Sequence, residues 1–476
     1  MASQQPTPEN YVEWTIVQAL RTLQAEPGNA KMKQIAAELL RVTNIALDRK
    51  FEGVLHALLT DPDMDPSAIE RAGWTLIAAD GRLPAQDDYD MAGPEWLEHD
   101  SFAQALLREA VVTIVQVEER LRPIRHWLLM SGESARYPRA TQAFIDQAAL
   151  NGGAWEIRDE ERSGLKGAGP IEAAYLPPRP AVPADPNRLS WVSPVTRDVA
   201  AQYEGWPYPA WRRAMAGRGE SLRETIAALG PDAPRDMAED AALLIAGCGT
   251  GHEPVLWARR FPKLRITAID LSAASLAYAR ARAAEAGITN IAFQQRDLHD
   301  AAGQFDIVLS SGVLHHLADP EAGWAAIAGV LKPGGVMRLN LYSRHARAAL
   351  QPVLAEIADL TGQPMSDDLL RQVRMRLRDN NIINRSPDFF TLGGVHDLLL
   401  HAHEDSFDVP RIRAAIDRLG LELLRFELPT ADHRQRYAEA HPGDPNFRDA
   451  AAWEAIERDD PMAFAAMHDF WCLKPA

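Results

Sequence analysis

Cysteine is scarce in this chain: 476 residues hold two, Cys248 and Cys472. So few exclude a disulfide framework and fit a reducing compartment. Long apolar runs are missing too, and none approaches the ~20 residues that cross a bilayer. Residues 1–11 are polar and lack the basic-then-apolar layout of a secretory signal, so a cytoplasmic location is expected. No long Lys/Arg run is present. With 50 Lys and Arg against 66 Asp and Glu, the formal charge is -16, and such a surface repels phosphate backbones. Neither nucleic acid nor a membrane is expected as a partner. The sequence also lacks a clean period of about 34 residues, the signature of a helical repeat array. What remains is a globular composition, 46% hydrophobic and 24% charged. The chain is long enough for about three domains at roughly 150 residues each.

Residues 12–150 read as helical throughout. The run Phe102–Leu121 repeats apolar residues every three or four positions, which predicts one half-buried helix. Leu55–Leu59 and Ile69–Ile77 predict two more, separated by Asp61-Pro-Asp-Met-Asp-Pro66, whose second Asp-Pro pair suits a helix start. Residues 1–160 are therefore expected to form a helical N-terminal domain. A Pro-rich linker follows over 161–190, where prolines 177, 178, 180 and 183 forbid a continuing helix. An aromatic segment spans 191–236. Over 237–345 short apolar runs alternate with helical ones. Strands are predicted at Ala241–Ala246, Arg265–Ile269, Ile291–Gln294, Phe305–Ser310 and Val336–Leu341, with helices at Glu253–Arg260, Ala273–Glu285 and Ala322–Val330. That alternation means a parallel sheet covered on both faces. Residues 346–476 read as mostly helical, with one strand at Leu421–Glu427.

The segment that carries chemistry is Leu243-Leu-Ile-Ala-Gly-Cys-Gly-Thr-Gly251, a hydrophobic strand running into a glycine-rich turn and then a helix. Glycines at 247, 249 and 251 let the backbone approach a ligand closely or take positive φ. A dinucleotide fingerprint needs its third glycine at 252, where His252 stands, so the standard NAD loop is excluded. Downstream spacing strengthens the motif. The second strand ends in Ala268-Ile-Asp270, where a carboxylate about 20 residues beyond the loop can hold both ribose hydroxyls. Arg296-Asp297, after the third strand, is positioned to meet an adenine amino group. The fourth strand opens at its carboxyl end into Val313, Leu314 and His315, and Leu331-Lys-Pro-Gly-Gly335 turns tightly into the fifth. Ligands in open parallel sheets sit beyond the carboxyl ends of strands, so these sites converge on one crevice.

On these residues, the stretch 241–342 resembles the class I S-adenosylmethionine-dependent methyltransferases of the small-molecule type. The resemblance implies an α/β fold, a Rossmann-like methyltransferase core with a helical N-terminal domain and a mostly helical C-terminal region. It implies S-adenosylmethionine as cofactor, released as S-adenosylhomocysteine. The implied contact shell comprises Gly247, Cys248, Gly249, Gly251, Asp270, Leu271, Asp297, Leu298, Ser311 and Val313. Many members carry an acid just before the first glycine. Ala246 stands there in this chain, which leaves the ammonium contact of the cofactor unassigned. Gln202-Tyr203-Glu204 with Pro207-Tyr208-Pro209 and Trp211 is similar to a signature that precedes the core in bacterial tetratricopeptide-associated methyltransferases. Those proteins tend to carry Glu-Asn where this chain has Gly205-Trp206, and Arg in place of Ala210. The segments Asp388-Phe-Phe390 and His396–Glu404 resemble the tail of the same proteins.

Methyl transfer is an in-line displacement from a sulfonium. It demands orientation of the nucleophile, exclusion of water and, for a protonated nucleophile, a base. No metal is required, and none is expected. Tyr203 and Tyr208 are candidate catalytic residues, because the segment before the first strand commonly closes over the cofactor in this fold. Prolines on both sides hold the Tyr208 backbone; aromatic packing is the plain alternative. His315 is a candidate base, having an ordinary pKa of about 6.5, and a structural or adenosine-side role is the alternative for the His315-His316 pair. On a continuous helix Asp397, His401 and Glu404 would share one face at i, i+4 and i+7. They are read with Tyr342 as a candidate substrate wall, against a structural hydrogen-bond stripe or a metal site, since His-carboxylate pairs at this spacing can bind metal. Cys248 is expected to pack against the sheet. The acceptor is expected to be a small molecule or a peptide. Two other readings stay open: a protein methyltransferase whose N-terminal helices recruit a polypeptide, and a non-catalytic cofactor-binding scaffold or sensor. The oligomeric state is open, a homodimer being one option. Replacing Gly249 by Val is expected to abolish cofactor binding and leave the fold largely intact.

Overall fold

The computed structural model of the chain describes residues 11–84, 93–178, 192–215, 219–427, 431–464 and 467–476. The chain divides into two compact units. A helical unit takes Met1–Arg179, Ala210–Met215 and Asp359–Leu398, and a sheet unit takes Pro180–Pro209, Ala216–Ala358 and Leu399–Ala476. The stretch 346–476, expected as one region, is shared between them, as is the aromatic segment 191–236. Among the described residues no helix is long and apolar enough to cross a membrane.

In the helical unit, helices Glu52–Thr60 and Ser67–Ala79 form where apolar periodicity predicts them. The Asp65 carboxylate accepts the Ser67 N–H at 3.0 Å at the start of the second. Leu20, Leu55, Trp74, Leu106 and Phe144 meet in the core of this unit. The single helix expected over Phe102–Leu121 is in fact two, Ser101–Glu109 and Val115–Met130. Between them Val111-Val-Thr-Ile114 is a β-branched run with poor helix propensity. Side chains supply the backbone partners a helix would have given: Gln147 accepts the Val112 N–H at 3.0 Å and Glu70 accepts the Thr113 N–H at 2.9 Å.

The linker expected over 161–190 is folded in its first half. Asp159–Leu165 is a helix and Gly169–Ala174 a 3-10 turn, followed by a buried Tyr175 whose hydroxyl donates to Glu161 at 2.8 Å. Residues 179–191, with Pro180, Pro183 and Trp191, lie outside the described residues. Two later segments complete the unit. Arg213 pairs with Glu109, and helix Asp367–Leu377 brings Arg374 into a buried ion pair with Glu118 at 2.7 Å.

The sheet unit is built on seven strands: β1 (Ala242–Ala246), β2 (Arg265–Asp270), β3 (Ile291–Gln295), β4 (Phe305–Ser311), β5 (Leu331–Leu341), β6 (Glu422–Glu427) and β7 (His468–Leu473). Their order is β3-β2-β1-β4-β5-β7-β6. The first five run parallel, and β7 is antiparallel to both of its neighbours. β1 explains why a continuous apolar run makes a central strand. Leu244 and Ala246 enter the core on one face, with Val308 and Trp324, while Leu243 and Ile245 enter the core on the other, with Trp257 and Leu309. The expected turn at 331–335 is a bulge within β5: Leu331 pairs with Phe305, and the ladder resumes at Val336 opposite Ile307. Among the described residues the tail holds two strands rather than the one expected. In β7, Phe470 and Cys472 pack on one face and Trp471 on the other, so Cys472 is a buried strand residue. The strand order reverses between β1 and β4, and a crevice opens at such a switch point beyond the carboxyl ends.

Candidate active site

β1 delivers the chain into the glycine turn at the switch point, and the turn is fastened at once. The N–H groups of Gly247 and Cys248 both donate to the Ile269 carbonyl of β2, at 2.9 and 3.0 Å. The three glycines take positive φ, +77°, +50° and +86°, and each stands where a side chain would collide. A Cβ at 247 would run into the Val313 side chain. One at 249 would lie 2.8 Å from the Tyr208 carbonyl oxygen, and one at 251 would lie 2.5 Å from the Ala279 Cβ. The spacing therefore encodes three close approaches: to the loop after β4, to the aromatic segment and to helix Ala273–Glu285. The aromatic segment is tied on by its backbone. The Tyr208 carbonyl accepts the Thr250 N–H at 3.3 Å, and the Pro209 carbonyl accepts the Thr250 hydroxyl at 2.6 Å. Cys248 is buried in this turn, and burial with the nearby Asp270 charge pushes its thiol well up.

Asp270 closes β2. Its Oδ2 accepts the Gly249 N–H at 2.7 Å and its Oδ1 the Ser272 N–H at 2.8 Å. Burial pushes this carboxyl up, the N–H groups of Ser272, Gly249 and Leu271 oppose that, and the Glu204 charge adds to it. The next carbonyl, Leu271, accepts the Gln295 side chain at 2.8 Å. After β3, Asp297 accepts the His299 N–H at 2.9 Å and faces its ring Nδ1 at 2.8 Å, with Leu298 buried.

Gln202, Tyr203 and Glu204 end helix Pro194–Gly205, and all three bind the core. Gln202 accepts the Ala402 N–H at 3.0 Å. Glu204 caps helix Ala273–Glu285, its two oxygens accepting the N–H groups of Ala273 and Ala274 at 2.8 and 3.0 Å, where negative charge is favoured. The Tyr203 hydroxyl lies 3.2 Å from His401 Nε2. His401 Nδ1 accepts the His403 N–H at 3.1 Å, so the neutral ring carries its proton on Nε2 and donates it to Tyr203. His316 has the opposite tautomer: its Nδ1 donates to the His403 carbonyl at 2.9 Å. The His316 and His401 rings stack at 3.5 Å and 14°.

His315 does not have the form of the base expected of it. Its Nδ1 accepts the Tyr342 N–H at 3.2 Å, and its ring stacks on Tyr342 at 3.9 Å. The remaining proton therefore sits on Nε2, and the neutral ring is a donor. Burial holds His315 well below the usual imidazole range and pushes His316 down to about 3. Tyr342 follows β5, with the Arg347 guanidinium 4.7 Å from its ring. Arg347 makes two hydrogen bonds to Glu404.

The helix expected to align Asp397, His401 and Glu404 ends at Leu399. Beyond it, tertiary partners replace helical ones: Ala402 N–H goes to Gln202, His403 N–H to His401 and Asp405 N–H to the His315 carbonyl. His401 and Glu404 belong to the sheet unit and Asp397 to the helical unit. The sequence assigned no role to Glu204, quoted only within its signature, nor to Arg347 and Glu253. Glu253, in the first turn of helix His252–Arg260, contacts Ser311 at the end of β4 and lies 3.9 Å from Arg338. Its signal was an acid two positions past the last glycine.

Residues 244–337 match the family model of a methyltransferase domain. The chain is 31% identical over 270 residues to an uncharacterized Synechococcus protein, covering 54% of this chain and 58% of that one. It is 33% identical over 144 residues to a trans-aconitate 2-methyltransferase of Deinococcus radiodurans, covering 30% and 52%. Among solved structures it is similar to PKMT2 of Rickettsia typhi, with 15% identity and a TM-score of 0.41 over 53% of this chain and 52% of that one. The chain spans little more than half the length of these two sequence relatives. Residues 244–337 are thus similar to a methyltransferase domain, and the strand order, with five parallel strands, is Rossmann-like.

Proposed function

We propose that the methyltransferase domain makes this chain an S-adenosylmethionine-dependent enzyme that methylates a small-molecule or peptide acceptor. The observation that carries the reading is the meeting of strand ends at the switch point, where Asp270 of β2 is one hydrogen bond from Gly249 of the turn after β1. The residues fit the cofactor. Asp270 offers its carboxylate to the ribose hydroxyls, and Asp297 offers a carboxylate at the end of β3 for the adenine amino group. The glycine turn, pinned to β2, is a rigid backbone wall for the methionyl portion. When bound, the cofactor supplies an activated methyl group on its sulfonium.

The chain's own residues then have to orient the acceptor and exclude water. Tyr203 is assigned the orienting role. His401 donates to its hydroxyl, and His401 is itself fixed by the His316 ring and the His403 N–H. The phenol direction is thus set by packed side chains, as a preorganised site requires. Tyr208 acts through its carbonyl, which braces the turn. His315 and His316 stay neutral at physiological pH and serve as hydrogen-bonding groups. Tyr342, with the Arg347–Glu404 pair over it, forms the β5 side of the acceptor wall.

Two measurements test the reading. Calorimetry with S-adenosylhomocysteine is expected to give saturable binding, and its absence removes the cofactor assignment. Incubation with methyl-labelled cofactor in a bacterial extract is expected to label low-mass products. Label confined to large polypeptides would replace the acceptor by a protein, and binding without any labelled product would leave a sensor.

A further inference from the structure

Glu253 carries a charge that the mechanism above leaves unused. Its side chain is 21% exposed, contacts Ser311 and lies 3.9 Å from Arg338 Nη1. Arg338 neutralises it only in part, because that guanidinium makes two hydrogen bonds to Asp469, at 2.8 and 2.5 Å. One cation therefore serves two carboxylates, and a net negative charge remains. Donors are short as well. The Ser311 hydroxyl has a single proton and gives it to Asn340 Oδ1 at 3.0 Å. The Glu253 oxygens and Asn340 Oδ1 thus converge on a hydroxyl that can satisfy one of them. Burial pushes the Glu253 carboxyl up, with Arg338 and Ser311 opposing, as befits an acid short of partners.

A group with three N–H donors and a positive charge supplies what is missing, and that group is a primary ammonium. We propose that Glu253, Ser311 and Asn340 form an ammonium subsite, and that its occupant is the α-amino group of the cofactor. The proposal rests on the S-adenosylmethionine reading above. Position selects the occupant. Glu253 is the second residue after Gly251, and Ser311 lies two residues before Val313, against which Gly247 packs. The subsite therefore adjoins the glycine turn. Ala246, at the end of β1, offers no carboxylate to that amino group, so the charge has to be met from elsewhere. An amine acceptor carries the same chemistry, and the experiment separates the two.

S-adenosylhomocysteine has the amino-acid portion and 5′-methylthioadenosine lacks it. Calorimetry with both, on the wild type and Glu253→Gln, reads the subsite directly. Binding of S-adenosylhomocysteine to the wild type checks the cofactor reading on its own. Glu253→Gln is expected to weaken S-adenosylhomocysteine roughly 10- to 100-fold, the worth of a hydrogen bond to a charged group, while 5′-methylthioadenosine binds as before. Unchanged S-adenosylhomocysteine affinity overturns the proposal and leaves the subsite to an amine acceptor or to none. Equal losses for both ligands also overturn it, since Glu253 would then act on the whole pocket. Should Glu253→Gln fail to fold, Ser311→Ala carries the same comparison, with a smaller selective loss expected.

Discussion

Burial raises the Glu70 carboxyl to about 7, although both its oxygens accept hydrogen bonds from Thr113. The folded state thus holds this proton more tightly than the unfolded chain, whose value is 4.5. The stability linked to it is complete below pH 4.5 and is lost as pH rises through about 7. Glu70→Gln is therefore expected to raise the thermal midpoint at pH 8 relative to wild type. The gain is on the order of 1–3 kcal/mol, with little gain at pH 4, and melts at the two pH values check it. His316 runs the other way. Its folded value of about 3 lies below 6.5, so stability is lost as pH falls from 6.5 toward 3. At this scale the sequence disclosed residues whose partners lie within one loop or strand end. Asp270 was legible because its spacing from the glycines is fixed by one strand and one helix. Glu253 was not, because its partners arrive on β4, β5 and β7.

Among the elements, the glycine turn and the aromatic segment constrain each other. A side chain at 249 meets the Tyr208 carbonyl, so the sequence-based expectation that Gly249→Val spares the surrounding fold needs correcting. Gly249→Val is expected to displace Tyr208 and Pro209, to weaken S-adenosylhomocysteine at least 10-fold, and to open the stretch 192–209 to protease. Lost binding with undiminished protection would return Gly249 to a purely ligand-facing role. Gly251→Ala, against Ala279, is expected to cost roughly 1–3 kcal/mol in unfolding by denaturant. Elements with one clean period were readable: β1, β2 and helix Ala273–Glu285 lie within a residue of their expected bounds. The break after Glu109 was hidden, because the apolar spacing continues across it while the β-branched run and Glu70 end the helix. β7 was hidden by its place in a tail of helices, although Phe470-Trp-Cys472 is buried on both faces.

For the molecule as a whole, the decisive fact is that neither unit is continuous in sequence. Segment Asp359–Leu398 completes the helical unit, where Arg374 is buried against Glu118. Severing such a pair costs about 3–5 kcal/mol. A fragment of residues 192–476 is therefore expected to aggregate, or to be cut by protease within 359–398. A version with 359–398 also replaced by a short linker is expected to stay soluble and to bind S-adenosylhomocysteine. Size-exclusion chromatography and calorimetry check both. None of this crossing was legible in the sequence, because segment 346–476 reads as mostly helical and helical periodicity does not say which core a helix joins.

The same threading sets a timetable for synthesis. Glu118 leaves the ribosome 256 residues ahead of Arg374. At roughly 5–20 residues per second, the wait is roughly 13–51 s. The N-terminal helices, begun first, must hold an unfinished interface while the first five strands emerge. The sheet in turn waits for β7, which follows Arg374 in the chain. A chain that stalls before residue 374 therefore completes neither unit.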